Sequence, residues 1–398
     1  MIHFDFDKDC CGCTSCANGC PVGAITMRQN TEGFLIPFVD ESVCTHCGKC
    51  ERICPHLNSR SDIENYSIDN FKGNNAYLYY LDDDARKDSA SGGFVYALSK
   101  QIQREGGIVC GCVWTERFEA EHICSSEDAD LNRMQSSKYV QSSLRQCFSQ
   151  IKKELKVGRQ VLFCGTPCQT AGLNFFLGQK KYDNLITVAL ICHGVGSPQV
   201  WRKYKKALEK KYAGDLVFVN QRDKSCKGYE QSYCKYMFQN DKLQKTVAMP
   251  TYLADPYVFL FTDNLFIRNS CTHCQYKADN SCSDIIVGDF YASTAGAGDL
   301  GCSSVIAMSE KGDDTINQLP GVLKKSTIRE VVGGNSMLWS SVKRNPRKIE
   351  FFLRMRYSKD GDMTLFTDFI PFRFKVKKVL NQLGIFKYLK KLKRIINR

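Results

Sequence analysis

The sequence predicts an α+β protein, with a mixed α/β body behind a small cysteine-rich N-terminal unit. Apolar runs of strand length alternate with stretches of helical spacing across residues 76–340. Cysteine is crowded at one end, with nine of the 22 before residue 55. At 398 residues, 43% hydrophobic and 24% charged, the chain is globular in composition and too long for one ordinary core.

Taken in order, residues 1–57 form the first unit and the polar stretch at 58–75 reads as a linker. Helical spacing over 94–104 is followed by the turn Gly106-Gly107 and a strand through 108–113. Residues 161–164 and 185–191 are apolar strands, each leading through a polar loop into a helix, and 284–287 is a further strand. These elements make one mixed body, followed by a helical region at 346–398.

Of the net charge of +13, ten positive charges lie in residues 373–398, which carry no acidic residue; the rest of the chain stands at +3. One basic tail does not make a basic domain, so nucleic acid is not the expected partner. In the tail, Val376, Leu380, Leu383, Phe386, Leu389, Leu392 and Ile396 recur at helical spacing with lysines opposite. Such a helix either lies on a membrane surface or packs back onto the body. The first residues are acidic where a signal peptide would be basic and then apolar, and no run reaches the ~18 apolar residues of a membrane span. The expected location is the cytoplasm, with attachment to the inner face of a membrane through the tail.

The clustered cysteines choose between a disulfide framework and metal ligation. Gaps of two and three residues suit one compact metal centre better than a long-range staple. The first motif is Cys10-x2-Cys13-x2-Cys16-x3-Cys20-Pro21, and the second is Cys44-x2-Cys47-x2-Cys50-x3-Cys54-Pro55. This is the spacing of two-cluster bacterial ferredoxins, in which the fourth Cys of each run ligates the other cluster. Cys10, Cys13, Cys16 and Cys54 are expected to hold one 4Fe–4S cluster, and Cys44, Cys47, Cys50 and Cys20 the other. Zinc in sets of four cysteines is the competing reading, but zinc sites rarely repeat three-cysteine loops with an exchanged fourth ligand. Cys11 reads as a bystander.

Further segments stand out in the body. Ser89-Ala-Ser-Gly-Gly93 precedes a helix, where backbone N–H groups either cradle a phosphate or simply make a turn. Cys164 and Cys168 follow one strand, Cys192 and His193 follow the next, and Cys271-x2-Cys274 precedes a third. Thiols at adjacent strand ends converge on a four-thiolate site or are buried as small apolar side chains. Gly296-Ala-Gly298-Asp-Leu-Gly301 fits GxGxxG, but a loop precedes it and a strand-like stretch follows, so it is not read as a dinucleotide fingerprint.

Together the double cysteine motif, SASGGF (89–94), QSSKYVQSSL (135–144), FCGTPCQ (163–169), ICHGVGSP (191–198), CTHC (271–274) and SDIIVGDFY (283–291) resemble the family of beta subunits of coenzyme F420 hydrogenases and dehydrogenases, over residues 1–340. The resemblance implies a flavin, FAD, beside a third 4Fe–4S cluster, and divides the body into an N-terminal-like region at 76–160 that binds flavin and a C-terminal-like region at 161–345 that carries the third cluster and flavin. Carried over by position, Cys168, Cys192, Cys271 and Cys274 are that cluster's ligands. Ser91, Gly92, Gly93, Ser137, Lys138 and Tyr139 lie near the flavin. Cys282 and Cys164 are core thiols or replacements for one of these ligands. His193 either protonates a flavin nitrogen or the substrate, or is only a hydrogen-bond partner; Asp284 and Asp289 orient loops or cap strand ends. The expected activity is a two-electron to one-electron converter. A ferredoxin or other redox protein feeds the clusters and the flavin reduces a small organic substrate, or coenzyme F420 or NAD(P)H delivers hydride in the opposite direction. The other functional class is a non-catalytic electron-transfer subunit of a larger complex.

Overall fold

The computed structural model describes residues 1–59, 67–71, 73–225, 228–229, 232–251, 254–291, 298–331, 335–372 and 374. The expected amphipathic tail and residues 60–66 of the expected linker lie outside these.

In the N-terminal unit each cysteine loop runs into a short helix, Ser15–Gly19 or Lys49–Arg52. Between them β1 (Ile25–Gln29) and β2 (Leu35–Val39) form an antiparallel hairpin, Ile25 opposite Val39. The two loops repeat one backbone pattern. Gly12 and Thr14 have φ of +71° and +64°, and His46 and Gly48 at the matching positions have +52° and +67°. Paired left-handed steps curl the chain around a centre; holding a non-glycine residue there costs about 1–2 kcal/mol.

The body is built from β3 (Ala76–Tyr80), β4 (Ile108–Trp114), β5 (Ala120–Ser125), β6 (Val161–Gly165), β7 (Leu185–Leu190), β8 (Asp215–Asp223), β9 (Tyr233–Asn240), β10 (Leu243–Pro250), β11 (Ile285–Asp289), β12 (Ser303–Ala307) and β13 (Val322–Ser326). Eight of these form one sheet in the order β13-β3-β12-β11-β7-β6-β4-β5. Its centre, β4-β6-β7-β11, is parallel, and antiparallel strands flank it on both sides. Val161, Leu162 and Phe163 are completely buried, because a central parallel strand is covered on both faces and reads as a continuous apolar run. At one edge β13 presents the exposed Lys324 and Lys325, charges that discourage edge-to-edge pairing.

The sheet runs across the division expected at 160/161, since β6 pairs with β4 on one side and β7 on the other. Phe71, inside the expected linker, is fully buried against Ala76, Ile286 and Ile306; the segment after residue 66 belongs to the body.

β8, β9 and β10 form a separate antiparallel sheet. Its inner face packs with the helices Pro198–Tyr212 and Pro256–Thr262 around Trp201, Tyr204, Tyr236 and Tyr257. The fully buried Asp255 carboxylate accepts hydrogen bonds from the Tyr204 and Tyr236 hydroxyls at 3.0 and 2.8 Å. The helix Lys348–Tyr357 closes this core with Phe351 and Met355.

The N-terminal unit is seated on the body. Arg268 Nε and Ser270 Oγ both donate to the Cys10 carbonyl, at 2.6 and 3.1 Å. Gln141 Oε1 accepts from Leu35 N at 2.9 Å, and Ser15 Oγ donates to the Gly172 carbonyl at 2.7 Å. Gly172 is required here, since a Cβ on it would lie 2.7 Å from Cys13 Cβ and 3.0 Å from Cys13 Sγ.

Candidate redox site

Cys10, Cys13, Cys16 and Cys54 line one small cavity. Cys20, Cys44, Cys47 and Cys50 line another. Each therefore gathers three thiols from one motif and the fourth from the other, as the spacing predicts. The left-handed pairs aim the three local thiols inward, and the Cys-Pro step starts a short turn that delivers the fourth. The cavities differ in exposure. All four cysteines of the first are buried, whereas Cys47 is exposed and Cys20 and Cys44 are half-buried. Without metal, burial raises the Cys10 thiol to about 11 and the Cys54 thiol to about 12. Metal entry must therefore displace protons. The donor set is all sulfur in groups of four, which fits 4Fe–4S clusters.

In the body, the loops that carry Cys168 and Cys192 leave the carboxyl ends of the neighbouring parallel strands β6 and β7, where Gly165 stands opposite Ala189. Ligands bind beyond such strand ends in open α/β sheets. Cys168 sits in the first turn of the helix Pro167–Phe176, capped by Thr166 and Gln169, at the end that favours negative charge. Cys271 and Cys274 approach from the turn Asn269–His273. A Cβ on Gly194 would lie 3.6 Å from Cys271 Sγ. Burial, then the neighbouring Cys192 and Cys274, hold the Cys271 thiol at about 12. The Cys168 thiol is likewise raised, first by its hydrogen bond with Cys11 and also by Cys274. Cys271 thus has Cys192 and Cys274 as neighbours and Cys168 has Cys274, though no three of these four sulfurs lie within 4.8 Å of one another. Cys164 lies elsewhere, beside Cys112 and Lys138, and Cys282 is exposed.

Sequence reasoning missed three members of this site. Cys11 is no bystander: its thiol is within hydrogen-bonding reach of Cys13 and Cys168 and 3.8 Å from the Tyr276 hydroxyl. It sits where the first cysteine loop meets the Cys168 helix. Arg268 and Lys277 are 2% and 3% exposed. Besides its bond to Cys10, Arg268 donates to the Leu35 carbonyl, while Lys277 Nζ donates to the Cys192 and Met337 carbonyls at 2.7 Å each. Among the described residues neither cation has a carboxylate partner. A buried cation without a counter-charge is expensive, and thiolate-ligated clusters on either side would supply one. Both cations stand three residues from a CTHC cysteine, the one signal the sequence offered.

The residues expected near a flavin fall into two groups. In the first, Ser91 Oγ donates to the Cys302 carbonyl, Gly92 N donates to Ser303 Oγ at 3.1 Å, and Gly93 takes φ +86° before the helix Phe94–Arg104. A Cβ on Gly92 would lie 2.2 Å from the Tyr79 carbonyl oxygen, so this glycine allows close strand contact. In the second group, Ser137 lies in the loop after the helix Asp128–Met134. Lys138 Nζ donates to the Gln135 carbonyl at 2.9 Å, and burial lowers its pKa. Tyr139 N donates to Gln221 Oε1, and its hydroxyl accepts from Arg222, which also pairs with Asp289 at 3.0 Å. The Phe261 ring touches both Tyr139 and His193, with centroids 4.9 and 5.3 Å apart. His193 Nε2 meets Asn264 Oδ1 at 2.7 Å, and burial lowers its pKa. Asp284, by contrast, accepts from Thr187 and Ser309 as a strand-end clamp. Around the second group Gln221 Nε2, the Tyr229 hydroxyl and His122 Nδ1 are buried without a hydrogen-bond partner among the described residues. Such orphaned groups fit a polar, ring-shaped ligand. A larger cavity of about 510 Å³ opens beside Asp83, Arg86 and Val322, and none of the six expected flavin residues lines it.

Residues 158–330 match the family described as the C terminus of the coenzyme F420 hydrogenase/dehydrogenase beta subunit, and residues 9–58 match the 4Fe–4S dicluster domain. The chain is 24% identical over 199 residues to the F subunit of the F(420)H(2) dehydrogenase from Methanosarcina mazei. That alignment covers 46% of this chain and 53% of the relative, so the chain spans about half the length of the curated protein it matches. A chain of the F420-reducing NiFe hydrogenase complex from Methanosarcina barkeri aligns over 69% of this chain and 90% of its own length. Its TM-score of 0.42 at 16% identity is too low to bear on the fold. Residues 158–330 are therefore similar to the C-terminal part of coenzyme F420 hydrogenase/dehydrogenase beta subunits, and residues 9–58, which match a 4Fe–4S dicluster domain, are seated on that body.

Proposed function

We propose that this chain is an iron–sulfur flavoprotein oxidoreductase that moves electrons between the dicluster unit and a flavin in the body, through a third 4Fe–4S centre. When bound, the clusters supply single-electron transfer and the flavin supplies hydride chemistry. The observation that carries the reading is the contact between the first cysteine loop and the helix bearing Cys168, made by Cys11 and by Gly172 against Cys13.

The residues divide the work. Cys20, Cys44, Cys47 and Cys50 hold the outer centre, and the exposure of Cys47 favours it as the point where a ferredoxin or other redox protein docks. Cys10, Cys13, Cys16 and Cys54 hold the inner one. Cys168, Cys192, Cys271 and Cys274 hold the third, with Arg268 and Lys277 offsetting negative charge. Ser91, Gly92, Gly93, Ser137, Lys138 and Tyr139 flank the flavin. His193, whose pKa burial depresses, is held by Asn264 Oδ1 through its Nε2–H, so the proton it takes up or returns is carried at Nδ1. An organic acceptor, coenzyme F420 or NAD(P)H is the small-molecule partner. No helix among the described residues is long and apolar enough to cross a membrane; the proposed cytoplasmic location and membrane-surface contact rest on the sequence and its basic tail.

Oxygen-free purification with iron, sulfide and flavin analysis tests this. About twelve irons and one flavin per chain, with dithionite-driven reduction of an organic acceptor, is the expected result. A zinc-bound or colourless protein overturns it. A second reading, an electron-transfer subunit without turnover of its own, is favoured by the M. mazei relative, which is named as a subunit. It predicts the same irons but no turnover by the isolated chain.

A further inference from the structure

Three thiols outside the redox site meet in the apolar core between β4, β5 and the helix Cys147–Lys156. Cys110 and Cys124 stand directly opposite each other in the β4–β5 register, their Cα atoms 4.1 Å apart, and form a disulfide. Cys147 Sγ lies 3.4 Å from Cys124 Sγ, and all three sulfurs are within 4.8 Å of one another.

A metal ion is the obvious occupant of three converging sulfurs, but the surroundings disfavour it. Leu144, Phe148, Ile151 and Phe163 pack around the group, all fully buried. Three thiolates around a divalent ion would leave net negative charge in this apolar setting, a large desolvation penalty. Burial pushes the Cys147 thiol up to about 12, with no neighbouring charge to offset it, so Cys147 rests protonated. A disulfide beside a neutral thiol carries no charge and suits the pocket.

The same helix reaches the dicluster unit. Asn18, between Cys16 and Cys20, accepts from Ser149 N at 3.2 Å and donates to the Arg145 carbonyl at 2.7 Å. A path of covalent and hydrogen bonds therefore runs from Cys16 through Asn18 and Ser149 to Cys147, two residues away, and on to Cys124.

We propose that Cys110, Cys124 and Cys147 form a two-electron thiol–disulfide centre that exchanges electrons with the iron–sulfur unit. It rests on the clusters proposed above as its electron source. Opening the Cys110–Cys124 bond takes two electrons, one from each of two reduced 4Fe–4S clusters, and two protons from solvent; it leaves two thiols and two oxidised clusters. Closure runs the same balance backwards. Cys124 is the partly exposed member, through which protons reach the group. Cys147 adds a redox-neutral exchange: its sulfur bonds to Cys124, and the departing Cys110 sulfur takes up the proton that Cys147 gave away. The centre stores an electron pair beside carriers that move electrons singly.

The test uses full-length holoprotein purified without oxygen, oxidised with a one-electron dye and then titrated with dithionite. Samples are acid-quenched, alkylated and peptide-mapped. The expected result is a Cys110–Cys124 cross-link in the oxidised sample that disappears as the clusters bleach, with about two electrons taken up beyond those the clusters account for. Cys124→Ser removes the extra uptake at unchanged iron content, and Cys110→Ser yields a Cys124–Cys147 cross-link instead. Free thiols at all three positions in the oxidised wild-type protein overturn the proposal. So does a cross-link that survives complete cluster reduction, or a zinc or copper ion that Cys124→Ser releases. Iron is assayed separately: full iron with free thiols refutes this centre alone, whereas absent iron refutes the electron-transfer reading and the centre with it.

Discussion

Arg268 and Lys277 bring positive charge into a region otherwise made of thiols and backbone, and their loss is felt there first. A unit charge screened by an effective dielectric of about 20 is worth on the order of 2 kcal/mol across about 8 Å, or about 90 mV for one electron. Lys277→Met should lower the reduction potential of the third centre by that order, with Lys277→Arg recovering most of it; a potentiometric titration followed by EPR reads both. His122 gives a pH signature. Burial pushes it down to about 4, with its hydrogen bond to the Cys164 carbonyl opposing, against about 6.5 in an unfolded chain. Between pH 6.5 and 4 the unfolded state binds a proton that the folded state refuses, so stability falls as pH falls. The loss reaches about 2 kcal/mol at pH 5. His122→Phe should flatten the decline in apparent melting midpoint between pH 7 and pH 5 relative to the native chain; an unchanged slope refutes this. The eight ferredoxin-type cysteines were legible because their spacing is itself the geometry. Arg268, Lys277 and Cys11 were not, because a cation or extra thiol near a cysteine motif gains meaning only when the fold buries it between two thiol sets.

At the scale of elements, the apolar runs of β6 and β7 announced themselves, since a strand covered on both faces needs no polar alternation. The helix Phe94–Arg104 likewise followed from its spacing and the glycine before it. The sheet is not interrupted at 160/161, because β6 pairs with strands from both sides of it, and pairing partners distant in sequence leave no local mark. The contact of the helix Pro167–Phe176 with the first cysteine loop was equally silent. It yields a prediction contrary to helix propensity. Gly172→Ala should favour an isolated helix by up to about 1 kcal/mol. Here its Cβ would press within 2.7 Å of Cys13 Cβ. The variant should keep its helical circular dichroism yet lose about four irons per chain; full iron content would show that the loop yields without consequence.

Over the whole molecule the thiol sets run from an exposed margin at Cys47, through the buried Cys10 set, to the half-buried Cys168 set. The basic tail adds a separate test. Full-length protein should float with anionic liposomes, and a chain ended after Asp368 should not; equal flotation removes the membrane contact. The seating of the N-terminal unit has a consequence for damage. The second cavity is lined only by residues of its own unit, including exposed Cys47, while the Cys10 loop is clamped by Arg268, Gln141 and the Gly172 helix. Air should therefore corrode the chain from one end, bleaching the margin early and sparing the clamped interior for longer, so that decay on exposure to oxygen is stepwise rather than a single collapse.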